Sequence, residues 1–218
     1  MLKFNYQLWR DAMLTNSISK IIVHHSTQSH LLKLLEGKFH FGLIVPMPDD
    51  IAKLSILEDQ RLLPSFVGPI NHDTNEAFLA NTYQKYEISS SREWREKNWG
   101  CRFDCFDATV INNKIQFKTN GSAPYQLLEK WIKTYKVSCD IANLQDDFEY
   151  WSFASYKDGE LIKFEDTHDE SLLKVLMMIE EKKPPVSLFK RIYRDIFDTA
   201  IPKDKLDTYR NGELYAHL

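Results

Sequence analysis

The sequence predicts an α+β protein in which strand–helix–strand units form a mainly antiparallel sheet and helices are added at the C-terminus. Three observations carry this. Ser17-Ile-Ser-Lys-Ile-Ile-Val-His24 is a β-branched run of the kind that favours strands. Two segments further on read as strand–turn–strand, with apolar and polar residues alternating. The last 50 residues change to a helical period.

The elements follow in order. After the first strand, Thr27 is placed to cap a helix carrying Leu31, Leu34 and Leu35, and Gly37 to end it. Phe39 to Val45 reads as a second strand, stopped by Pro46 and Pro48. Asp49 or Asp50 caps a short helix, and Pro64, Gly68 and Pro69 mark a loop. Glu76 to Asn98 is helical, with a break at Ile88 to Ser91. Phe103 to Ile111, the turn Asn112-Asn113 and Lys114 to Thr119 form a hairpin, whose Ile115 and Phe117 face a core. Pro124 opens a helix carrying Leu127, Leu128, Trp131 and Tyr135. Val137 to Ile141 is a strand. Tyr150 to Tyr156, the turn at Lys157 to Gly159, and Leu161 to Phe164 make a second hairpin. Its alternation sets Trp151 and Phe153 inward and leaves Tyr150 and Tyr156 outside. Leu172, Val175, Leu176 and Ile179 make one helical stripe, ended by Pro184-Pro185. Leu188, Ile192 and Ile196, beside Phe189, Tyr193 and Phe197, make another. Three regions result: 1–75, a strand–helix–strand unit and loop; 76–168, a central sheet region; and 169–218, a helical extension.

Composition bounds the class. The chain has 218 residues, with 28 Lys and Arg against 31 Asp and Glu, and 43% of it is hydrophobic. That is enough to bury a sizeable core, and it excludes collagenous and largely disordered chains. No apolar run approaches the roughly 18–20 residues of a membrane span. The N-terminus lacks a signal-peptide pattern, so the expected location is the cytoplasm, with no membrane partner. Three cysteines, Cys101, Cys105 and Cys139, are an odd number and favour reduced thiols.

Two segments resemble a known family. Phe39-His-Phe-Gly-Leu-Ile-Val-Pro-Met-Pro48 is similar to a strand followed by Pro-Met-Pro in accessory proteins of phages and conjugative plasmids. Trp94-Arg-Glu-Lys-Asn-Trp-Gly-Cys-Arg-Phe-Asp-Cys105 is similar to the same family's Trp…Asn-Trp-Gly segment. The family contains the YubB ferredoxin-like domain, and the resemblance runs roughly from Ile18 to Phe164. It implies a ferredoxin-like sheet and a home on a mobile element. It implies no established activity, and it points to interference with a host immune system.

The residues able to carry chemistry do not assemble a catalytic pattern. The chain has no Gly-rich phosphate loop, His-Glu-x-x-His, Gly-x-Ser-x-Gly or Cys-x-x-Cys. Cys101 and Cys105, with Cys139 and His24, His25, His30 or His40, offer soft zinc ligands in principle. On a strand, however, residues 101 and 105 stand about 13 Å apart. Two sulfurs on one tetrahedral zinc must lie within ~4 Å. No metal or other cofactor is therefore expected, and the thiols are read as buried. His24 and His25 have no carboxylate nearby in sequence and read as polar strand-end residues. Asp104 and Asp107, three apart, point to opposite faces and make no catalytic pair.

Charge distribution says more. Asp140 to Glu170 holds ten acids against Lys157 and Lys163. Asn112 to Ser138 holds five lysines against Glu129, and Lys182 to Arg210 eight bases against four acids. The leading expectation is a non-enzymatic protein that binds and inhibits a host protein complex, such as a CRISPR or other immune effector. It would use Asp140, Asp146, Asp147, Glu149, Asp158 and Glu160 against a basic groove. The alternative is a direct nucleic-acid binder, with Arg92, Arg95, Lys97 and Arg102 on phosphates, Trp99 stacking on bases, and the basic tail assisting. The oligomeric state is not legible.

Overall fold

A computed structural model of the chain describes residues 16–24, 39–62, 72–121, 123–146, 148–167, 169–180, 185–204, 206 and 207. The helix expected over 27–36 and the loop around Pro64, Gly68 and Pro69 lie outside these residues.

Six strands form one sheet: β1 (Asn16–Val23), β2 (Phe106–Ile111), β3 (Lys114–Asn120), β4 (Cys139–Gln145), β5 (Trp151–Lys157) and β6 (Glu160–Asp166). Their order is β2-β3-β1-β4-β5-β6, and every neighbouring pair is antiparallel. The antiparallel α+β class read from the sequence is the class observed. The first strand sits at the centre, between β3 and β4. Its β-branched run suits that place, because both neighbours bury it.

Helices cover both faces. On one lie α1 (Phe41–Ile44), α2 (Asp49–Leu62), α3 (His72–Tyr86), α4 (Ser91–Trp99) and α5 (Tyr125–Tyr135). Their core joins Phe41, Ile51, Leu54, Leu127, Leu128 and Ile132 to Ile21, Ile115, Phe117 and Ile141 of the sheet. On the other face, α6 (Asp169–Glu180) and α7 (Val186–Phe197) pack Leu172, Leu176, Phe189 and Tyr193 against Ala142, Leu144, Trp151 and Phe153. The stripe of Leu172, Val175, Leu176 and Ile179 read from the sequence lies in this second core, as do Phe189, Ile192 and Tyr193 of the next helix.

Local chemistry places the elements. The break at Ile88 to Ser91 is real. Ser90 Oγ accepts the Glu93 N–H at 3.0 Å, which satisfies an orphan donor in the first turn of α4, and Glu93 Oε2 accepts the N–H of Ser89, the residue before the cap. In the first hairpin Ile115 and Phe117 are fully buried, as their alternation requires.

Two expectations are corrected. Phe39 to Val45 is not a strand; Phe41–Ile44 is a single helical turn. Apolar residues at 39, 41 and 45 fit either period. A strand would bury residue 43 alongside them, but Leu43 is exposed while Phe39, Phe41 and Val45 turn inward, the last two four apart as on a helix. The turn is fixed by Asp104, whose Oδ1 accepts the Phe41 N–H at 2.8 Å. Phe41 then meets Trp99 and Phe117 edge-to-face at 5.8 and 5.6 Å. The second correction concerns Tyr156, expected outside and found buried. β5 lies under helices on both faces, so inward–outward alternation does not hold there.

Candidate interaction surface

Within the β5–β6 hairpin β5 is buried, whereas most of β6 is exposed. β6 is an edge strand, and among the described residues it pairs only with β5. Leu161, Ile162 and Phe164 are 46%, 64% and 45% exposed. Asp158 and Glu160 flank the turn and are exposed. The turn itself is firmly seated. Gly159 donates its N–H to Val137 O at 3.1 Å, and Ser138 Oγ accepts the Asp158 N–H at 2.8 Å. At the far end of β6, Glu165 is held by Lys163 at 2.9 Å and Lys174 at 3.0 Å. Burial opposes ionisation of that carboxyl, yet the two lysines win and hold it below the usual range.

The acidic residues singled out from the sequence do not form one patch. Asp146 and Glu149 lie in the β4–β5 connection, while Asp158 and Glu160 lie at the other end of β5. Seven residues of strand separate the two ends, about 20 Å. Asp147 falls outside the described residues. Asp140 is a correction: it is only 7% exposed and faces inward, with its Oδ2 2.9 Å from His24 Nε2. The acidic count over Asp140 to Glu170 is real, but chain order is not spatial order in a meander of strands.

That His24–Asp140 pair is the contact sequence reasoning missed. The β1–β4 register sets Ile22 opposite Asp140 and Val23 opposite Cys139, which carries His24 to the carboxylate. The two residues are 116 apart in sequence, and the only available signal was a polar residue closing one apolar strand and an acid set within another. The pair ties the exit of β1 to the start of β4. His24 N–H adds a backbone bond to Ser138 O at 2.9 Å.

The cations of this corner are held by local contacts, and Glu96 offsets part of their charge. Arg92 and Arg102 both reach Glu96 Oε1 at 3.0 Å. The Arg92 guanidinium, with Arg102 beside it, holds that carboxyl below the usual range against the opposing effect of burial. Arg95 donates to Arg102 O and, at 3.2 Å, to Ser55 Oγ. Lys97 remains exposed. Trp99 is buried, with its indole N–H on Val45 O at 3.0 Å and its ring 5.6 Å from Trp94, so it is not placed to stack on bases. A shallow polar cleft of about 360 Å³ opens nearby between α4 and α5. It is lined by Lys97, Asn98, Gln126, Glu129, Lys130 and Lys133.

Among the described residues no three metal-ligating side chains cluster. Burial, with Asp104 nearby, pushes the Cys101 thiol up to about 12. Burial, with Asp140 beside it, does the same for Cys139, and Cys105 is raised by burial and Asp104. These groups stay protonated and poorly nucleophilic near neutral pH. No helix among the described residues is long and apolar enough to cross a membrane.

Comparison with family models, with curated proteins and with solved structures finds no match to this chain.

Proposed function

We propose that this protein acts by capturing a partner protein and that the β5–β6 hairpin is its recognition surface. The carrying observation is the combination on one edge strand of three exposed apolar side chains with the acids Asp158 and Glu160 at its start. Apolar anchors ringed by charge are the pattern of protein docking sites. The likeness of Trp94 to Cys105 to phage and plasmid accessory proteins, with that of Pro46-Met-Pro48 but not of a strand before it, supplies the setting: an accessory protein of a mobile element that inhibits a host immune complex. A basic groove on such a complex is the natural complement of the hairpin's charge.

The test is affinity capture from host lysate, comparing the wild-type chain with an Asp158→Lys, Glu160→Lys double variant. Loss of a specific immune complex from the variant supports the reading. Capture of the same proteins by both removes the hairpin from it.

Direct nucleic-acid binding is the second reading, and one observation favours it: Lys97, Lys130 and Lys133 share the cleft between α4 and α5. It requires a mobility shift at low salt that fades steeply as salt is added. No shift at low salt disposes of it.

A further inference from the structure

We infer that the outer edge of β6 is a strand-addition site for an extended segment of a partner protein, one in which apolar residues are flanked by lysine or arginine. This rests on the hairpin reading above and specifies its chemistry.

The geometry divides β6 into two functional parts. From Lys163 to Asp166 the strand runs in regular register with Ser155 to Ser152 of β5. That stretch turns the other side of its main chain away from the sheet, the arrangement an added strand pairs with. Closer to the turn the register shifts between Ser155 and Tyr156. Ile162 drops out of the ladder there and its side chain stands clear. Leu161 and Phe164, opposite Tyr156 and Ala154, lie on the α5 side. Tyr125 meets the Phe164 ring edge-on at 5.9 Å. A ring already held on one side loses little freedom when a partner covers the other.

Charge decides what kind of strand fits. Glu160 and Asp166 stand at the two ends of β6 with Lys163 between them. Glu165 is occupied by Lys163 and Lys174. A second copy pairing antiparallel over the full strand would set Glu160 against Asp166 at both ends and Lys163 against Lys163 at the centre. Like charges directly opposite are destabilising. The other edge of the sheet is no better as a partner. The register of β2 with β3 shifts between Phe106 and Thr109, and Asp107 adopts φ 51°, a device that blunts an edge. The complement is a foreign strand with basic ends, an apolar body and an acid facing Lys163.

The experiment uses the full chain and two capped seven-residue peptides. One, Lys-Thr-Val-Glu-Ile-Val-Lys, is written to oppose Asp166 through Glu160. The other has its charges exchanged, Glu-Thr-Val-Lys-Ile-Val-Glu. Backbone amide shifts are followed by NMR during titration. The first peptide is expected to move amides of β6 and to bind at least about tenfold more tightly than the second. Ile162→Lys is expected to weaken it about tenfold by removing an apolar anchor. Because Ile162 is exposed, this variant keeps the wild-type far-ultraviolet spectrum. A second variant, Glu160→Lys with Asp166→Lys, reverses the peptide preference. Equal binding of both peptides, binding of neither, shifts confined to another surface, or a wild-type dimer that Ile162→Lys dissociates each overturn the inference. Loss of immune-complex capture with peptide selectivity intact overturns the mobile-element reading alone. Capture without peptide selectivity overturns the strand-addition site alone.

Discussion

Gly159→Ala tests whether the β5–β6 turn is anchored where the candidate surface needs it. Gly159 has φ 89°, and a Cβ there would stand 3.1 Å from Lys136 Cα and 3.3 Å from Ile132 O, both backbone atoms at the end of α5. Two costs add. An L-residue at that φ costs ~1–2 kcal/mol, and forcing a methyl against backbone costs ~1–3 kcal/mol more. Gly121 supplies the control, because it has φ 91° and a methyl added there would meet nothing within 4 Å. Gly121→Ala therefore carries only the conformational cost, ~1–2 kcal/mol. For a chain of this size each kcal/mol lowers Tm by roughly 2–4 °C. Thermal unfolding followed by tryptophan fluorescence is expected to show Gly159→Ala melting several degrees below Gly121→Ala. Equal midpoints would mean that the turn is not packed on α5, and the reasoning about the hairpin's rigidity would fail.

Four further outcomes follow from contacts elsewhere in the core. Phe41→Ala, fully buried between Trp99 and Phe117, is expected to cost ~3–5 kcal/mol in urea unfolding. Leu43→Ser is expected to stay within about 0.5 kcal/mol of wild type, and equal losses would restore a strand at 39–45. Trp99→Phe removes the indole donor from Val45 O and is expected to cost ~1–3 kcal/mol through the unpaired carbonyl; an unchanged urea midpoint contradicts that bond. Stability is expected to fall as pH rises above the ordinary thiol value of 9.0. Burial raises Cys101 and Cys139 to about 12, so in that window the folded state holds protons the unfolded chain releases. A urea midpoint flat between about pH 8 and 10.5, where linkage requires a decline, contradicts the buried thiols.

How much was legible in the sequence depends on whether the signal was local. The hairpin at Asn112-Asn113, the break at Ile88 to Ser91, the helix after Pro124 and the two C-terminal stripes each declare themselves within a few residues, by period or by turn chemistry. Phe39 to Val45 failed because its apolar spacing satisfies two periods, and the deciding contact, Asp104 on the Phe41 N–H, comes from 63 residues away. Tyr156 failed because alternation reports a half-buried strand, whereas β5 is covered on both faces. For the surface, Asp158 and Glu160 were legible as an acidic turn. The apolar exposure of Leu161, Ile162 and Phe164 was not, because an apolar run next to a turn reads equally well as core. His24 and Asp140 needed the β1–β4 pairing, which no single sequence reveals.

The most direct measurement places the chain in a host whose active CRISPR effector restricts a phage, and counts plaques. The wild-type chain is expected to restore plaque formation. Asp158→Lys, Glu160→Lys and Ile162→Lys combined are expected to abolish that rescue at the same protein level. Rescue by both chains alike contradicts capture through the β5–β6 hairpin, and rescue by neither contradicts inhibition of the immune complex.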